Sequence, residues 1–599
     1  MAVQTKLMRD ATALPYGQLL IQDGDRWLSF TEPVRVVSTL VPGEIADCLR
    51  DIDDAVTNLG LYAAGFMTYE AAAVYNLTVH QVDDHSLPLL WFGLYDRPRK
   101  LATIPSSSGS YHLGDWRSSL DEETYFAAIK QIKERIALGD TYQVNFTMHL
   151  CAQFSGDPWA LYYDLIQAQQ AAHTAYLDLG QYVICSASPE LFFRLDGDLL
   201  TARPMKGTAV RGRTLAEDKA QMAKLRASSK DCAENVMIVD MIRNDFGRIA
   251  HIGSVDVPSL FTVERYPTLL QMTSTVTARS EATLPEIMAA MFPCASITGA
   301  PKVRTMEIIK TLEPQPRGVY TGAIGYWGPN RQASFNVAIR TVVIDRHTGL
   351  ADYGVGSGIV WDSKAADEYA ECRLKSQVLI ERFPSFELLE SLLWTPDEGF
   401  FLLDLHLDRL ANSARYFDFP FDEEAIRRHL LELAQILLEA RKVRLLLGRD
   451  GELTTQLQSL QMQNGALPVP VCLAQTPVES GDVWLYHKTS RRQVYEQALA
   501  GCPAGYDVIL WNERGEITEA SSSNVIFELD GQLITPPVSS GLLAGTYRRY
   551  LLDQGRIQER IVTTADLNRT TQLILINSVR KWREAVFIDM NSSSLRDVL

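Results

Sequence analysis

The chain has 599 residues, of which 46% are hydrophobic, and carries a formal net charge of −16 at pH 7. That length exceeds what one hydrophobic core serves and calls for at least two large domains, while the acidic balance argues against a nucleic-acid or anionic-membrane surface. No run of about eighteen apolar residues offers a bilayer span, Met1 to Lys6 lack a signal peptide's apolar segment, and eight cysteines without a Cys-x-x-Cys pair suggest neither a disulfide framework nor a zinc site, so a soluble cytoplasmic protein is expected.

In chain order, Ser106 to Ser110 read as an exposed loop. Residues 122–138 place Phe126, Ile129, Ile132 and Ile136 at helical spacing, with Gly139 as the C-terminal stop. Two apolar runs flank Asp196-Gly197, a dipeptide suited to a two-residue hairpin turn. Glu190 and Lys206 then fall just outside the hairpin's open end, where a carboxyl and an amine can serve as general acid and nucleophile. Thr214 and Glu217 carry a capping-box pattern, and Ala233 to Ile242 read as a buried helix. Glu368, Glu371 and Lys375 share one helical face. A carboxylate there and Glu234 offer hard oxygens to Mg²⁺. Gly354, Gly356 and Gly358 let backbone N–H groups approach an anion, and Arg340 presents a planar fork to a carboxylate. Strands alternating with helices make the class mixed α and β. The pattern pauses at Glu381 to Ser385, where Pro384 would end a helix, and a domain boundary is placed there.

Four segments together closely resemble the chorismate-utilising enzymes, the family of anthranilate, isochorismate and aminodeoxychorismate synthases. They are Ser188 to Thr208, Lys230 to Asp245, Ile297 to Lys302 with Gly322 to Tyr326 and Ala338 to Thr341, and Gly354 to Lys375. The resemblance is strong over 115–380 and weaker over 1–100, around Gly65 to Glu70. It implies a large β-sheet sandwich with flanking helices, with residues 1–115 as an N-terminal part and 116–383 as the catalytic region. It further implies Mg²⁺ at Glu234 and Glu371, and substrate contacts from Thr298, Lys302, Tyr326, Arg340, Gly356, Gly358 and Lys375. Lys206, where anthranilate synthases typically have alanine, points to the aminodeoxychorismate branch. There Lys206 would add to the chorismate ring and Glu190 would protonate the departing hydroxyl. Gln271 replaces a histidine found in many relatives, and Ala366 a proline. No cysteine has a glutaminase setting, so a separate glutamine amidotransferase is expected to supply ammonia.

Residues 386–599 differ. Tyr486 to Thr489 end an apparent strand, followed by Asp507 to Phe527, Leu533 to Pro537 and Gly541 to Arg548; upstream, His406 to Leu410 open a helix. These resemble the fold-type IV pyridoxal phosphate enzymes, which include branched-chain and D-amino-acid aminotransferases and aminodeoxychorismate lyase. The resemblance implies Lys488 as Schiff-base lysine and general base, and Glu519 at the pyridine nitrogen. Arg409, Thr546, Tyr547 and Ser578 are implied at the phosphate. Lys581 stands where relatives often have glycine. The two halves together imply conversion of chorismate to 4-amino-4-deoxychorismate and then to 4-aminobenzoate, a folate precursor, by an aminotransferase-class synthase joined to an oxo-acid lyase. A different chorismate outcome (anthranilate or isochorismate), a transaminase, and a non-catalytic C-terminal scaffold or dimerisation module remain open as alternatives.

Overall fold

A computed structural model describes residues 18–82, 87–379, 386–460 and 468–589. The expected boundary at Pro384 lies outside the described residues. The chain divides into two compact units, Met1–Val210 with Met222–Phe383, and Arg211–Gln221 with Pro384–Leu599. No helix among the described residues is long and apolar enough to cross a membrane.

The first unit is built on an 11-stranded and a 10-stranded sheet. Leu19, Phe30, Ala175 and Ile184 of one sheet pack against Phe66, Tyr95, Ile324 and Tyr326 of the other, forming the inner layer of a sandwich. Helices cover the outer faces. One is α1 (Glu122–Ala137), where the Asp121 side chain accepts from the Thr124 N–H and caps the first turn. Its Ile129 and Ile132 pack on Phe146 and Val355. On the other outer face, Ile238 and Phe246 meet Phe193 and Phe335.

Strand β1 (Gln143–Gly156) pairs antiparallel with β5 (Leu350–Ile359), with Gly358 opposite Asn145. Strands β2 (Leu191–Asp196) and β3 (Leu199–Arg203) form the expected hairpin, with Asp196 opposite Leu199. The two turn residues are therefore Gly197 and Asp198, one position later than expected, and Gly197 supplies the positive φ of 61°. Leu191 faces Arg203 at the open end, so Glu190 and β4 (Met205–Val210) depart from that end together. Helix α2 (Ser229–Gly247) is capped by the Ser228 side chain, and α3 (Ala365–Ser376) follows β5.

The second unit holds a 4-stranded and an 8-stranded sheet. Strand β6 (Leu388–Thr395) pairs with β7 (Arg441–Leu447), and α4 (Leu403–Phe417) lies between them in sequence. Further along come α5 (Gln493–Ala500), β8 (Ile517–Ala520) and α6 (Thr546–Asp553). Two expectations change here. Tyr486 to Thr489 do not end a strand: they follow a 3-10 turn, Val483–Leu485, held by the Asp482 side chain accepting from the Trp484 N–H at 3.0 Å. Cysteine spacing also missed a bond, because Cys472 and Cys502 form a disulfide while the other six cysteines are free. The glycine-for-lysine exchange at 581 has a conformational meaning, since Lys581 adopts a φ of 55°, the left-handed region that glycine favours.

Candidate functional site

In the first unit, a β-bulge aims Lys206. Met205 pairs with Thr273 and Thr208 with Gln271, so Lys206 and Gly207 together stand opposite one residue, Met272. An extra residue of this kind kinks a strand and redirects its side chain. Lys206 is thereby turned into a cleft of about 330 Å³, lined also by Glu190, Lys230, Glu234, Arg340, Gly356, Gly358, Glu368, Glu371 and Lys375. β5 forms one wall closely. A Cβ on Gly354 would meet the Tyr320 ring at 2.1 Å, and one on Gly358 would lie 2.9 Å from Lys206 Nζ.

The electrostatics pair an amine and an acid. Enclosure in the cleft holds the Lys206 amine below its usual pKa, and Lys375 acts in the same direction against Glu234, Glu190 and Glu371. Burial pushes Glu190 up to about 7, against a Ser296 hydroxyl bond and the Lys206 charge. Its Oε1 has no hydrogen-bond partner among the described residues, so the carboxyl is free to donate a proton near neutral pH. Helix α3 supplies an ion pair, Lys375 Nζ to Glu371 Oε1 at 2.6 Å. Burial alone would raise Glu371, but Lys375, joined by Lys206 and Lys230, outweighs it and holds the carboxylate low. Glu234 is pushed up to about 7, chiefly by desolvation. Lys230 Nζ lies 3.9 Å from Glu234 Oε1 and 3.6 Å from Glu368 Oε1. Arg340, at a φ of 53°, spends one guanidinium nitrogen on the Lys375 carbonyl.

Among the described residues no three ligand-type side chains stand close enough to hold a metal ion by themselves. Glu234, Glu368 and Glu371 nevertheless face one cleft. Mg²⁺ commonly takes only one or two carboxylates and completes its shell with water and substrate oxygens, so the donor set fits it.

Three residues expected at the substrate stand elsewhere. The Thr298 hydroxyl turns back to the carbonyls of Cys294 and Ala295 at 3.3 and 3.2 Å. Lys302 Nζ is held by Asp245 at 3.2 Å and the Met291 carbonyl at 3.1 Å. Tyr326 packs in the sandwich layer near Phe30, with ring centroids 6.3 Å apart. None of the three lines the cleft. Gln271 does line it, but its amide is engaged by the Gly207 carbonyl and the Thr208 hydroxyl at 3.0 and 3.1 Å.

In the second unit, Lys488, Arg409, Glu519, Thr546, Tyr547 and Ser578 all line one cleft of about 290 Å³. Enclosure first, and then the Arg409 charge, brings Lys488 down to about 8. Glu519 accepts from the Tyr495 hydroxyl at 2.8 Å, the Asn524 amide at 3.2 Å and the Leu543 N–H at 3.2 Å. Even so, burial raises it to about 7. A buried carboxyl that still disfavours its charge fits a site completed by a protonated pyridine nitrogen. Arg409 is clamped by Glu390 at 2.8 and 2.6 Å. Burial would raise Glu390, yet Arg409 and His406 hold it down to about 2. Gly545 caps α6, so the N–H groups of Thr546 and Tyr547 open toward the cleft, a setting suited to a phosphate. These residues fit pyridoxal phosphate.

Residues 22–381 match the family model described as chorismate binding enzyme, a stretch longer than half the chain. The chain belongs to the chorismate binding enzymes. Residues 387–587 match the model described as amino-transferase class IV, and the second unit has that fold. Over 259 residues this chorismate binding enzyme is 44% identical to aminodeoxychorismate synthase component 1 of Escherichia coli (strain K12), covering 43% of this chain and 57% of that protein. Over 284 residues it is 38% identical to anthranilate synthase component 1 of Neisseria meningitidis serogroup A (serotype 4A), covering 47% of this chain and 57% of that one. Among solved structures, anthranilate synthase component I from Streptococcus pneumoniae TIGR4 shares the fold with a TM-score of 0.51 at 24% identity, over 64% of this chain and 95% of that one. The chain spans less than two thirds of the length of the curated relatives it matches.

Sequence reasoning missed several cleft residues of this chorismate binding enzyme. Lys230 opens α2 one helical turn before Glu234, and that i, i+4 spacing was the available signal. In the second unit Lys442, Arg444 and Arg492 line the cleft. None of the three has an ion-pair partner among the described residues. The Arg444 Nε is buried without a hydrogen-bond partner among the described residues. Lys442 is held below its usual pKa by burial, then by Arg444, Arg580 and Arg492. Lys442 and Arg444 alternate on β7, and that period of two was the signal.

Proposed function

We propose that the chain makes 4-aminobenzoate from chorismate in two steps, one in each unit, with ammonia from a glutamine amidotransferase partner. The observation that carries the reading is the placement of Lys206 and Glu190 on one cleft, an amine kept below its usual pKa beside a carboxyl raised to about 7. In the first step the Lys206 nitrogen adds to ring C2, the ring double bonds shift, and the C4–O bond breaks. Glu190 gives its proton to the departing hydroxyl, which leaves as water. Ammonia then forms a bond to C4 as the C2–Nζ bond breaks, which returns Lys206 and yields 4-amino-4-deoxychorismate. Arg340 and Lys375 supply cationic contacts for the enolpyruvyl carboxylate. Glu234 and Glu371 would hold Mg²⁺, which would neutralise charge on the ring carboxylate.

In the second unit Lys488, Glu519, Arg409, Thr546, Tyr547 and Ser578 would hold pyridoxal phosphate, which supplies an electron sink for the amine-bearing carbon. Lys488 Nζ takes the proton from C4. The C3–O bond breaks, the side chain leaves as enolpyruvate, which takes up a proton at its methylene carbon to become pyruvate, and the ring becomes aromatic. Lys442, Arg444 and Arg492, three cations on one cleft with no carboxylate ion-paired to them among the described residues, support a substrate with two carboxylates, which favours this elimination over transamination of a simple amino acid.

The test is product mass after incubating the chain with chorismate, Mg²⁺ and ammonium, with and without pyridoxal phosphate. Cofactor-dependent 4-aminobenzoate with equimolar pyruvate is expected. Anthranilate or isochorismate would overturn the role of Lys206. Accumulation of 4-amino-4-deoxychorismate in the presence of cofactor would leave the second unit without the lyase role.

A further inference from the structure

Gln143, the first residue of β1, has no solvent exposure. Neither Oε1 nor Nε2 of its carboxamide has a hydrogen-bond partner among the described residues. An amide buried with both ends unpaired is unfavourable and calls for an explanation at the site it faces. Strand alternation puts its side chain on the same face as Asn145, which lines the Lys206 cleft. β5 passes here with Gly358, and the missing side chain of that glycine is where two nitrogens converge. A Cβ on Gly358 would lie 2.4 Å from Gln143 Nε2 and 2.9 Å from Lys206 Nζ. Lys206 Nζ itself makes no hydrogen bond or ion pair among the described residues. The charged groups that act on it, Glu234, Lys375, Glu190 and Glu371, set its charge and leave its direction open.

We propose that Gln143 is a positioning residue for Lys206: its carboxamide oxygen accepts a hydrogen bond from Nζ above Gly358 and thereby aims the remaining lone pair at the ring carbon. Half a turn about Cγ–Cδ exchanges the two ends of the amide, and neither end has a bond to lose by the exchange. Position matters because a small misalignment of a nucleophile lowers reaction rate without changing how tightly substrate is held. The inference rests on the reading of Lys206 as the nucleophile.

The experiment uses the full chain with Gln143→Met, Gln143→Glu and Lys206→Ala. Three quantities are measured: kcat and KM for chorismate with ammonium as nitrogen donor, the pH profile of kcat, and modification of Lys206 by methyl acetimidate, read by peptide mass. Gln143→Met keeps length and removes the acceptor. It is expected to lower kcat about 10- to 100-fold, leave KM within about twofold, and slow modification of Lys206 relative to other lysines. Gln143→Glu keeps an acceptor and adds a negative charge that favours the ammonium form, so it is expected to restore part of kcat while moving the rising limb of the profile to higher pH. Unchanged kcat and unchanged Lys206 modification in Gln143→Met, with Lys206→Ala inactive, would overturn the positioning role and leave the nucleophile standing. Full amination by Lys206→Ala would instead remove the nucleophile reading. A fall in all activities of Gln143→Met with no rescue or pH shift in Gln143→Glu would make Gln143 a structural residue only.

Discussion

Glu190→Gln separates what the acid does for catalysis from what it costs the fold. The carboxyl has an ordinary value of 4.5 and is raised to about 7, chiefly by burial. A displacement of that size corresponds to about 3 kcal/mol of preference for the neutral form in the folded state. The sign follows from linkage. An acid whose folded pKa is raised favours the fold while protonated and penalises it once ionised. The penalty is therefore absent well below pH 4.5, grows as pH climbs, and is complete above about 7. Glutamine keeps the shape and cannot ionise. Relative to wild type, Glu190→Gln should gain about 2–3 kcal/mol of stability between pH 4.5 and pH 8, while amination falls by about 100-fold or more for want of a proton donor. The assay is denaturant unfolding of both proteins across that range, followed by the first transition, with amination rates measured in parallel. A stability difference that does not change with pH would refute the burial argument. Retained amination would refute the acid assignment.

Glu519→Gln should weaken pyridoxal phosphate retention and slow elimination by about 100-fold, read from the visible cofactor band after gel filtration; an unchanged band and rate would place the pyridine nitrogen elsewhere. Arg444→Leu should raise KM for 4-amino-4-deoxychorismate about 10- to 100-fold through a lost charged contact, with cofactor retention unchanged, and an unchanged KM would take the carboxylates away from β7. Chelation of divalent ions should abolish amination, with recovery on adding Mg²⁺ and a higher Mg²⁺ requirement in Glu371→Gln; full activity in chelator would exclude the role given to Glu234 and Glu371.

Motif residues told more about neighbourhood than about contact. Lys206, Glu190, Glu234, Arg340, Gly356, Gly358, Glu371 and Lys375 do meet on one cleft, because each lies at a strand end, a bulge, a helix face or a glycine-bearing strand whose local pattern is written in nearby residues. Thr298, Lys302 and Tyr326 belong to the same motifs, but their side chains are engaged by neighbours in the fold and do not line the cleft. Lys302 is satisfied by Asp245, a residue from another helix that no local pattern links to it. Tyr326 reads as a polar tip on an apolar body, and the layer around Phe30 claims its ring. The hairpin turn slipped by one residue because Asp196-Gly197 and Gly197-Asp198 satisfy the same turn chemistry, and only the pairing of Asp196 with Leu199 decides between them. Cys472 and Cys502 stand thirty residues apart in sequence, and only the fold brings their Cα atoms to 6.4 Å.

The cleft wall at β5 works as a mould rather than as a reagent. Where Gly354 and Gly358 lack side chains, the Tyr320 ring and the ends of Gln143 and Lys206 drop into the notches left behind. The reactive groups are thus brought by other strands to a wall of bare backbone. On the proposed function, chemistry on such a wall would change with one inserted side chain, such as the one at the bulge, while the strand behind it stays unaltered. A methyl group added to the wall would do the reverse, closing the notch to every insert at once.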